Sequence, residues 1–298
     1  MNSSNRIEKP GKRILLVLLK AGGGLLLLGF AVLLYYYITS KELTVTCYTL
    51  QAPVSQPIRI VQLTDLHNAQ FGEGNCELTA RVAQQNPDLI VMTGDMLNRE
   101  EESLEIVTDL ISDLAEIAPV YYGYGNHETD WERNWNCDLH EQLSDAGAVV
   151  LNNDFIDLDV KGTEIRLAGY MGYYWQPHMM THDEEQQKLE RSFYKAFQDT
   201  DRYKILLNHI PTQWLDWNYI DVCHVNFVFC GHYHGGVIRI PFINRGVIAP
   251  YVGWFPPYTK GMYAGKEAVC VLSSGLGSEY AVPRINNPPE IVVVDFIE

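Results

Sequence analysis

Five short apolar runs, each stopping on a polar cluster of His, Asp or Asn, constrain this chain more than anything else in it. Residues 58–63 (IRIVQL) end at Thr64-Asp65-Leu66-His67, 89–92 (LIVM) at Thr93-Gly94-Asp95, and 120–124 (VYYGY) at Gly125-Asn126-His127-Glu128. Residues 204–207 (KILL) end at Asn208-His209-Ile210-Pro211, and 225–230 (VNFVFC) at the GHYHGG turn, 231–236. Continuous apolar runs this short read as buried strands. Between the first three lie helical spacings: about 76–85, closed by Asn86-Pro87, and 104–117, with apolar residues at 104, 106, 107, 110, 111 and 114. The order strand, helix, strand, helix, strand implies a layered α/β fold. In open α/β sheets, sites form beyond the carboxyl ends of the strands, where these clusters fall.

The second half is less regular. Residues 148–151, 155–160 and 164–170 read as short strands with Lys161-Gly162-Thr163 as a turn, and 183–199 as a helix. Strands at 43–50, 269–272 and 291–296 complete the inventory. No repeat or low-complexity linker interrupts residues 42–298, which are expected to form one domain.

The first 41 residues are of a different kind. Residues 14–38 (ILLVLLKAGGGLLLLGFAVLLYYYI) carry one charge, Lys20. A helix of that length, at about 1.5 Å per residue, exceeds a hydrocarbon core of roughly 30 Å. Lys20 lies near one end and can snorkel, and Tyr35, Tyr36 and Tyr37 mark an interfacial belt at the other. The run is longer than a signal-peptide core, its exit lacks a small-x-small cleavage site, and Thr-Val-Thr before Cys47 is a poor context for lipid attachment. An uncleaved anchor over 1–41 is therefore expected. Arg6, Lys9, Lys12 and Arg13 precede it and Lys41 beside Glu42 follows, which puts the N-terminus in the cytoplasm and the domain outside.

Residues 42–298 hold 16 Lys+Arg against 36 Asp+Glu, of 22 and 37 in the whole chain. Such a field disfavours an extended nucleic acid, which binds by phosphate neutralisation. A small phosphorylated molecule drawn to bound cations remains compatible with it. The six cysteines show no CxxC and no short-spaced framework, so free buried thiols are expected rather than a cysteine zinc site or a disulfide scaffold.

Each polar cluster alone has an ordinary explanation: a strand-end Asp caps a helix, Asn-His forms a turn, and a His before Ile-Pro is a satisfied core group. All five in this order do not. The set Asp65-Leu66-His67, Gly94-Asp95 followed by Asn98, Gly125-Asn126-His127-Glu128, Asn208-His209 and Gly231-His232-Tyr233-His234 resembles the calcineurin-like metallophosphoesterases over residues 58–236. GHYHGGVIRIPF and the terminal SSGLGSEYAVPRINNPPEIVVV are similar to the membrane-associated or exported YkuE-type branch, which carries the resemblance across nearly the whole domain.

The resemblance implies a four-layer α/β/β/α sandwich preceded by one transmembrane helix. It also implies two divalent or transition metal ions, Mn, Fe or Zn, held about 3.5–4 Å apart. By the family pattern Asp65, His67 and His234 bind one ion, Asn126, His209 and His232 the other, and Asp95 bridges them. A hydroxide shared by the ions attacks phosphorus, and His127 is the general acid for the leaving alkoxide. Glu128, as its immediate neighbour, is left outside the core site. Where many relatives carry an acidic residue this chain has Asn98, which bears on metal preference rather than on activity.

The expected function is phosphoester hydrolysis, on a phosphodiester in a small molecule or lipid headgroup. The alternatives are a nucleotide-sugar or lipid-precursor pyrophosphatase, and a catalytically silent metal- or ligand-binding surface protein. Retention of His127 argues against the silent protein. Aromatic segments at 170–178 and 249–263 either cap the site, rest against lipid or fill the core. Arg239 and Arg284 are candidates for phosphate contact or ordinary salt bridges. His140, His178, His182 and His224 read as structural or surface groups.

Overall fold

The apolar runs do form the strands, and their alternation of faces builds two sheets. The computed structural model describes residues 10–171, 184–243, 245–250, 252–279 and 282–298. Arg6 and Lys9, His178 and His182, and most of the aromatic stretch 170–178 lie outside these residues. In chain order, helix α1 (Pro10–Thr39) precedes β1 (Thr44–Gln51), β2 (Ile58–Leu63), α2 (Cys76–Ala83), β3 (Leu89–Thr93), α3 (Glu105–Ala115) and β4 (Val120–Gly123). Then come α4 (Asn126–Trp135), α5 (Leu139–Asp145), β5 (Ala148–Leu151), β6 (Asp154–Val160), β7 (Thr163–Gly169), α6 (Glu184–Gln198) and β8 (Tyr203–Leu207). The rest comprises α7 (Thr212–Leu215), β9 (Phe227–Cys230), two two-residue pairs, β10 (Arg239–Ile240) with β11 (Arg245–Gly246) and β12 (Ile248–Ala249) with β13 (Gly253–Trp254), and finally β14 (Gly261–Ala264), β15 (Val269–Leu272) and β16 (Glu290–Ile297).

One six-stranded sheet has the order β1-β16-β2-β3-β4-β5 and the other β14-β15-β9-β8-β7-β6. β2 to β5 are mutually parallel, as are β7, β8, β9 and β15, so the carboxyl ends of the central strands leave each sheet on one edge. Alternation with period two divides the residues between faces. Ile60, Val91 and Tyr121 of the first sheet meet Leu167, Ile205, Phe227, Phe229 and Val271 of the second in the middle of the sandwich. Burial of each such side chain contributes about 1.5–3 kcal/mol. Their neighbours Val61, Ile90, Met92 and Tyr122 face outward onto Leu78 and Val82 of α2 and Val107, Leu110, Ile111 and Leu114 of α3. On the other side Ala168, Leu206 and Val228 pack against Tyr194 and Phe197 of α6 and Trp214 of α7. The layers are thus α/β/β/α.

Helices α4 and α5 and strand β14 are additions to the sequence reading. α4 (NHETDWERNW) has almost no apolar stripe, because its buried N-terminal residues Asn126, His127 and Glu128 are polar and face other polar groups. Hydrophobic periodicity does not detect such a helix. The six cysteines are free, but only Cys230 and Cys270 are buried; Cys47, Cys76 and Cys137 are exposed. α1 has the length and composition to cross a membrane over Leu18–Thr39, with mean hydropathy 1.9 and none of that window buried. That is compatible with a single-pass anchor and with a signal sequence alike.

Candidate metal centre

The polar clusters of both sheets meet at the edge where the parallel strands end. Asp65 and His67 follow β2, Asp95 follows β3, Asn126 opens α4 beyond β4, His209 follows β8, and His232 and His234 follow β9. None of these seven side chains exposes more than 5% of its surface. Three sets of potential ligand atoms lie within 4.8 Å of one another: Asp65, His67 and His234; Asp95, His209 and His232; and His67, Asp95 and His127. The Asn126 Oδ1 is buried with no hydrogen-bond partner among the described residues, as is Nε2 of His67.

The backbone is bent hard to bring these groups together. Asp65, His67, Asp95, His232 and His234 all take left-handed φ values, from 45° at His234 to 72° at His232. Non-glycine residues there cost about 1–3 kcal/mol each and persist only where the surroundings over-determine them. Glycines make room for the two carboxylates: a side chain on Gly125 would run into Asp95, and one on Gly231 into Asp65. Asp65 is held by the His232 N–H at 3.0 and 3.1 Å and by Thr64 Oγ1 at 3.0 Å. Asp95 accepts the His127 N–H on Oδ1 at 2.9 Å, while its Oδ2 lies 2.9 Å from His209 Nε2. His209 is oriented by Thr93 O, 2.7 Å from Nδ1.

Protonation follows from these surroundings. Burial pushes the His67 imidazole down to about 4 and that of His232 to about 3, so both offer lone pairs at neutral pH. Burial would also depress His209, but the Asp95 carboxylate outweighs it and raises His209 to about 10. Asp65 is pushed up to about 6 by burial. A cation between Asp95 and His209 would replace the proton their contact now retains. Imidazoles, carboxylates and an amide oxygen, with buried ligand atoms lacking partners, are a donor set that fits first-row transition ions. These buried groups could hold metal ions.

Around them stand residues that sequence reasoning placed only partly. Asn98 grips His67 from both sides: Oδ1 lies 3.2 Å from Nδ1, and Nδ2 donates to His67 O at 3.1 Å. The Glu128 carboxylate does not reach toward His127. It accepts N–H groups from Asp95, Met96 and Gly125 at 2.8–2.9 Å and the Tyr122 hydroxyl at 2.7 Å. It thereby ties the end of β3 to the start of α4. A glutamate three residues into a helix reaching back to its cap is a readable signal, obscured here by glycine at the cap. Asn208, at the end of β8, bonds Tyr170 O and Trp214 Nε1.

His127, buried like the ligands, stands edge-on to His67 with ring centres 4.5 Å apart. Its Nδ1 accepts the Arg99 N–H at 3.2 Å, and its Nε2 lies 3.0 Å from Glu279 Oε2 and 2.6 Å from the Arg99 guanidinium. The Arg99 guanidinium pairs with Asp130 at 2.6 Å and Glu279 at 3.2 Å. Burial would lower the His127 pKa, but Asp95 and Glu279 together hold it above the ordinary value. The hydrogen bond to His127 pulls Glu279 down to about 2. Neither Arg99 nor Glu279 has a sequence signal, because each meets His127 only in the fold.

Arg284 is buried and donates to the carbonyls of Ser274, Gly275, Gly277 and Asn287, while Arg239 donates to Gly235 O and Thr259 Oγ1. His140 is exposed, and His224 pairs with Glu267 at 2.7 Å.

A family profile described as calcineurin-like phosphoesterase matches residues 58–236. Phosphodiesterase YaeI of Escherichia coli is 27% identical over 244 residues, 81% of this chain and 83% of that protein. The metallophosphoesterase YkoQ of Bacillus subtilis is 25% identical over 251 residues, 80% of this chain and 83% of its own length. YkuE of the same bacterium, also named a metallophosphoesterase, is 27% identical over 241 residues, covering 79% and 77%. The chain belongs to the calcineurin-like phosphoesterase family and is a phosphoester hydrolase.

Proposed function

We propose that the chain is a phosphodiesterase working through a dinuclear metal centre, anchored in the cell membrane by α1 with its hydrolytic domain outside. The observation that carries this reading is the convergence of Asp65, His67 and His234 in one set of ligand atoms and of Asp95, His209 and His232 in another. On it, Asp65, His67 and His234 hold one ion, Asn126, His209 and His232 the second, and Asp95 serves both. Two bound ions would supply Lewis acidity and a nucleophile at neutral pH.

The chain's own residues supply the rest. His127, whose pKa the Asp95 and Glu279 carboxylates hold above the ordinary value, can pass a proton to the leaving oxygen. Arg99, through its N–H and its guanidinium, and Glu279 hold the ring in place. Glu128 holds the backbone N–H groups of Asp95 and Met96, so the carboxylate between the two ligand sets stays in place. Similarity to a protein named phosphodiesterase favours a diester over a monoester substrate. The test strips full-length protein with chelator and reloads it separately with Mn, Fe or Zn, then compares matched aryl diester and monoester substrates. Metal-restored turnover with the diester ahead is expected. Equal turnover with and without metal would remove the metal centre from the mechanism.

A further inference from the structure

Outside α1, the exposed large apolar side chains among the described residues include a group close in sequence to the ligand-bearing turn after β9. Phe242 and Ile243 lie between β10 and β11, Trp254 and Phe255 at the end of β13, and Val282 follows further on. Phe242 is fully exposed and Trp254 is 71% exposed. Phe242 and Phe255 also hold left-handed backbone, with φ 70° and 53°. Strain that presents an aromatic ring to water points to a contact beyond the isolated molecule.

The segment carrying Phe242 and Ile243 is fastened to the exit of α1, and Phe255 is joined to it by its N–H, which donates to Val247 O at 2.8 Å just beyond β11. The Arg239 N–H donates to Ile285 O at 3.0 Å and Asn286 Nδ2 to Arg239 O at 3.1 Å, so the hairpin carrying Phe242 hangs on residues 285 and 286. The next residue, Asn287, donates its N–H to Ser40 Oγ at 3.1 Å and its Nδ2 to His234 O at 2.7 Å. Ser40 directly follows α1, and Thr44 at the start of β1 donates its N–H to Pro289 O at 2.9 Å. The four intervening residues, 40–43, would reach only about 14 Å if fully extended. An open cavity of about 420 Å³ lies between anchor and site, lined in part by Tyr37 and Ser40, by Gln70 and Phe71 from the loop after His67, and by Arg284. The ligand-bearing turn is therefore one residue's hydrogen bonds away from the end of α1.

We propose that the bilayer entered by α1 is the docking partner of this face. Phe242, Ile243, Trp254, Phe255 and Val282 sit at the boundary of headgroups and acyl chains, and the hydrolysed phosphoester is that of a membrane lipid rather than a soluble one. The inference rests on the reading of the chain as an anchored phosphoester hydrolase. Attraction to anionic lipid is not what holds the face down, since residues 42–298 carry 36 Asp+Glu against 16 Lys+Arg. Insertion of apolar side chains, added to the anchor, supplies the hold.

The test uses full-length protein reconstituted in phosphatidylcholine vesicles whose acyl chains are brominated near the headgroup. Tryptophan fluorescence is expected to be quenched, with most of the quenching lost in Trp254→Phe; equal quenching in both proteins overturns the docking. The same vesicles, with manganese-loaded protein, then present either a diacyl lipid bearing a nitrophenyl phosphodiester headgroup or water-soluble bis(nitrophenyl) phosphate. In the double variant Phe242→Ser, Phe255→Ser, turnover of the lipid should fall about tenfold or more through lost effective concentration, while the soluble diester is hydrolysed unchanged. A fall in both, or in neither, overturns the lipid assignment. Failure of the wild-type protein on both diesters counts against the phosphodiesterase reading, and extraction by alkaline carbonate counts against the anchor. In either case the bromine quenching still decides the docking.

Discussion

Asp95 has one oxygen on the His127 N–H and the other against His209, so it ties the start of α4 to the end of β8. Asp95→Asn removes the charge shared by two sets of ligand atoms. We expect metal content and turnover to fall together, by about 100-fold or more, read by elemental analysis and by diester hydrolysis. Full metal content with unchanged turnover would place Asp95 outside the centre. His127→Ala should behave differently, because its Nε2 faces Glu279 and the Arg99 guanidinium rather than a ligand carboxylate. Metal content is expected to stay while kcat falls about 10²–10⁴-fold, the range of a lost general acid. Loss of the ions in that variant would make His127 a structural group.

At the scale of elements, the site depends on carboxylates that never touch it. Glu128 gathers three backbone N–H groups and one hydroxyl, and Glu128→Ala would leave those donors buried without acceptors. A loss of about 3 kcal/mol is expected, lowering Tm by roughly 5–10 °C; a thermal melt within a degree of wild type would deny the tie between β3 and α4. Glu290 plays a similar part at the start of β16, bonded to Lys260 at 2.6 Å, to the Ser274 N–H at 2.8 Å and to Thr46. Burial would raise its pKa, but Lys260 and these donors hold it below the ordinary 4.5. Stability from a depressed carboxylate is present above the unfolded value and lost as pH falls through the folded one. Glu290→Gln should therefore be less stable at neutral pH and show a smaller loss of Tm on acidification from about pH 5 to pH 3. The buried strands and all the candidate ligands were legible in the sequence, because parallel strands covered on both faces read as unbroken apolar runs and the ligands fall just beyond them. α4 was not, since it begins at Asn126 and turns its polar end into the site. Arg99 and Glu279 were not either, because 180 residues separate two side chains that meet at His127.

For the whole molecule, the question is on which side of a membrane this acidic domain works. Lys12 and Arg13 precede the apolar window, with Arg6 and Lys9 further upstream, whereas its exit offers only Lys41 beside Glu42. Translocation is resisted by flanking Lys and Arg far more than by Asp and Glu, so the acidic excess beyond residue 41 does not retain the domain in the cytoplasm. On the proposed orientation, the short connection across residues 40–43, with Ser40 buried and bonded to Asn287, would hold the domain against the outer leaflet rather than on a tether. Protease added to intact cells bounded only by their cytoplasmic membrane should degrade the domain while a tag at the N-terminus remains protected until lysis. A domain that resists until the cells are broken, with the N-terminal tag cleaved first, would reverse the orientation. The ligand-bearing edge would still lie beside the membrane, because its hydrogen bonds to the end of α1 do not depend on which way the helix crosses.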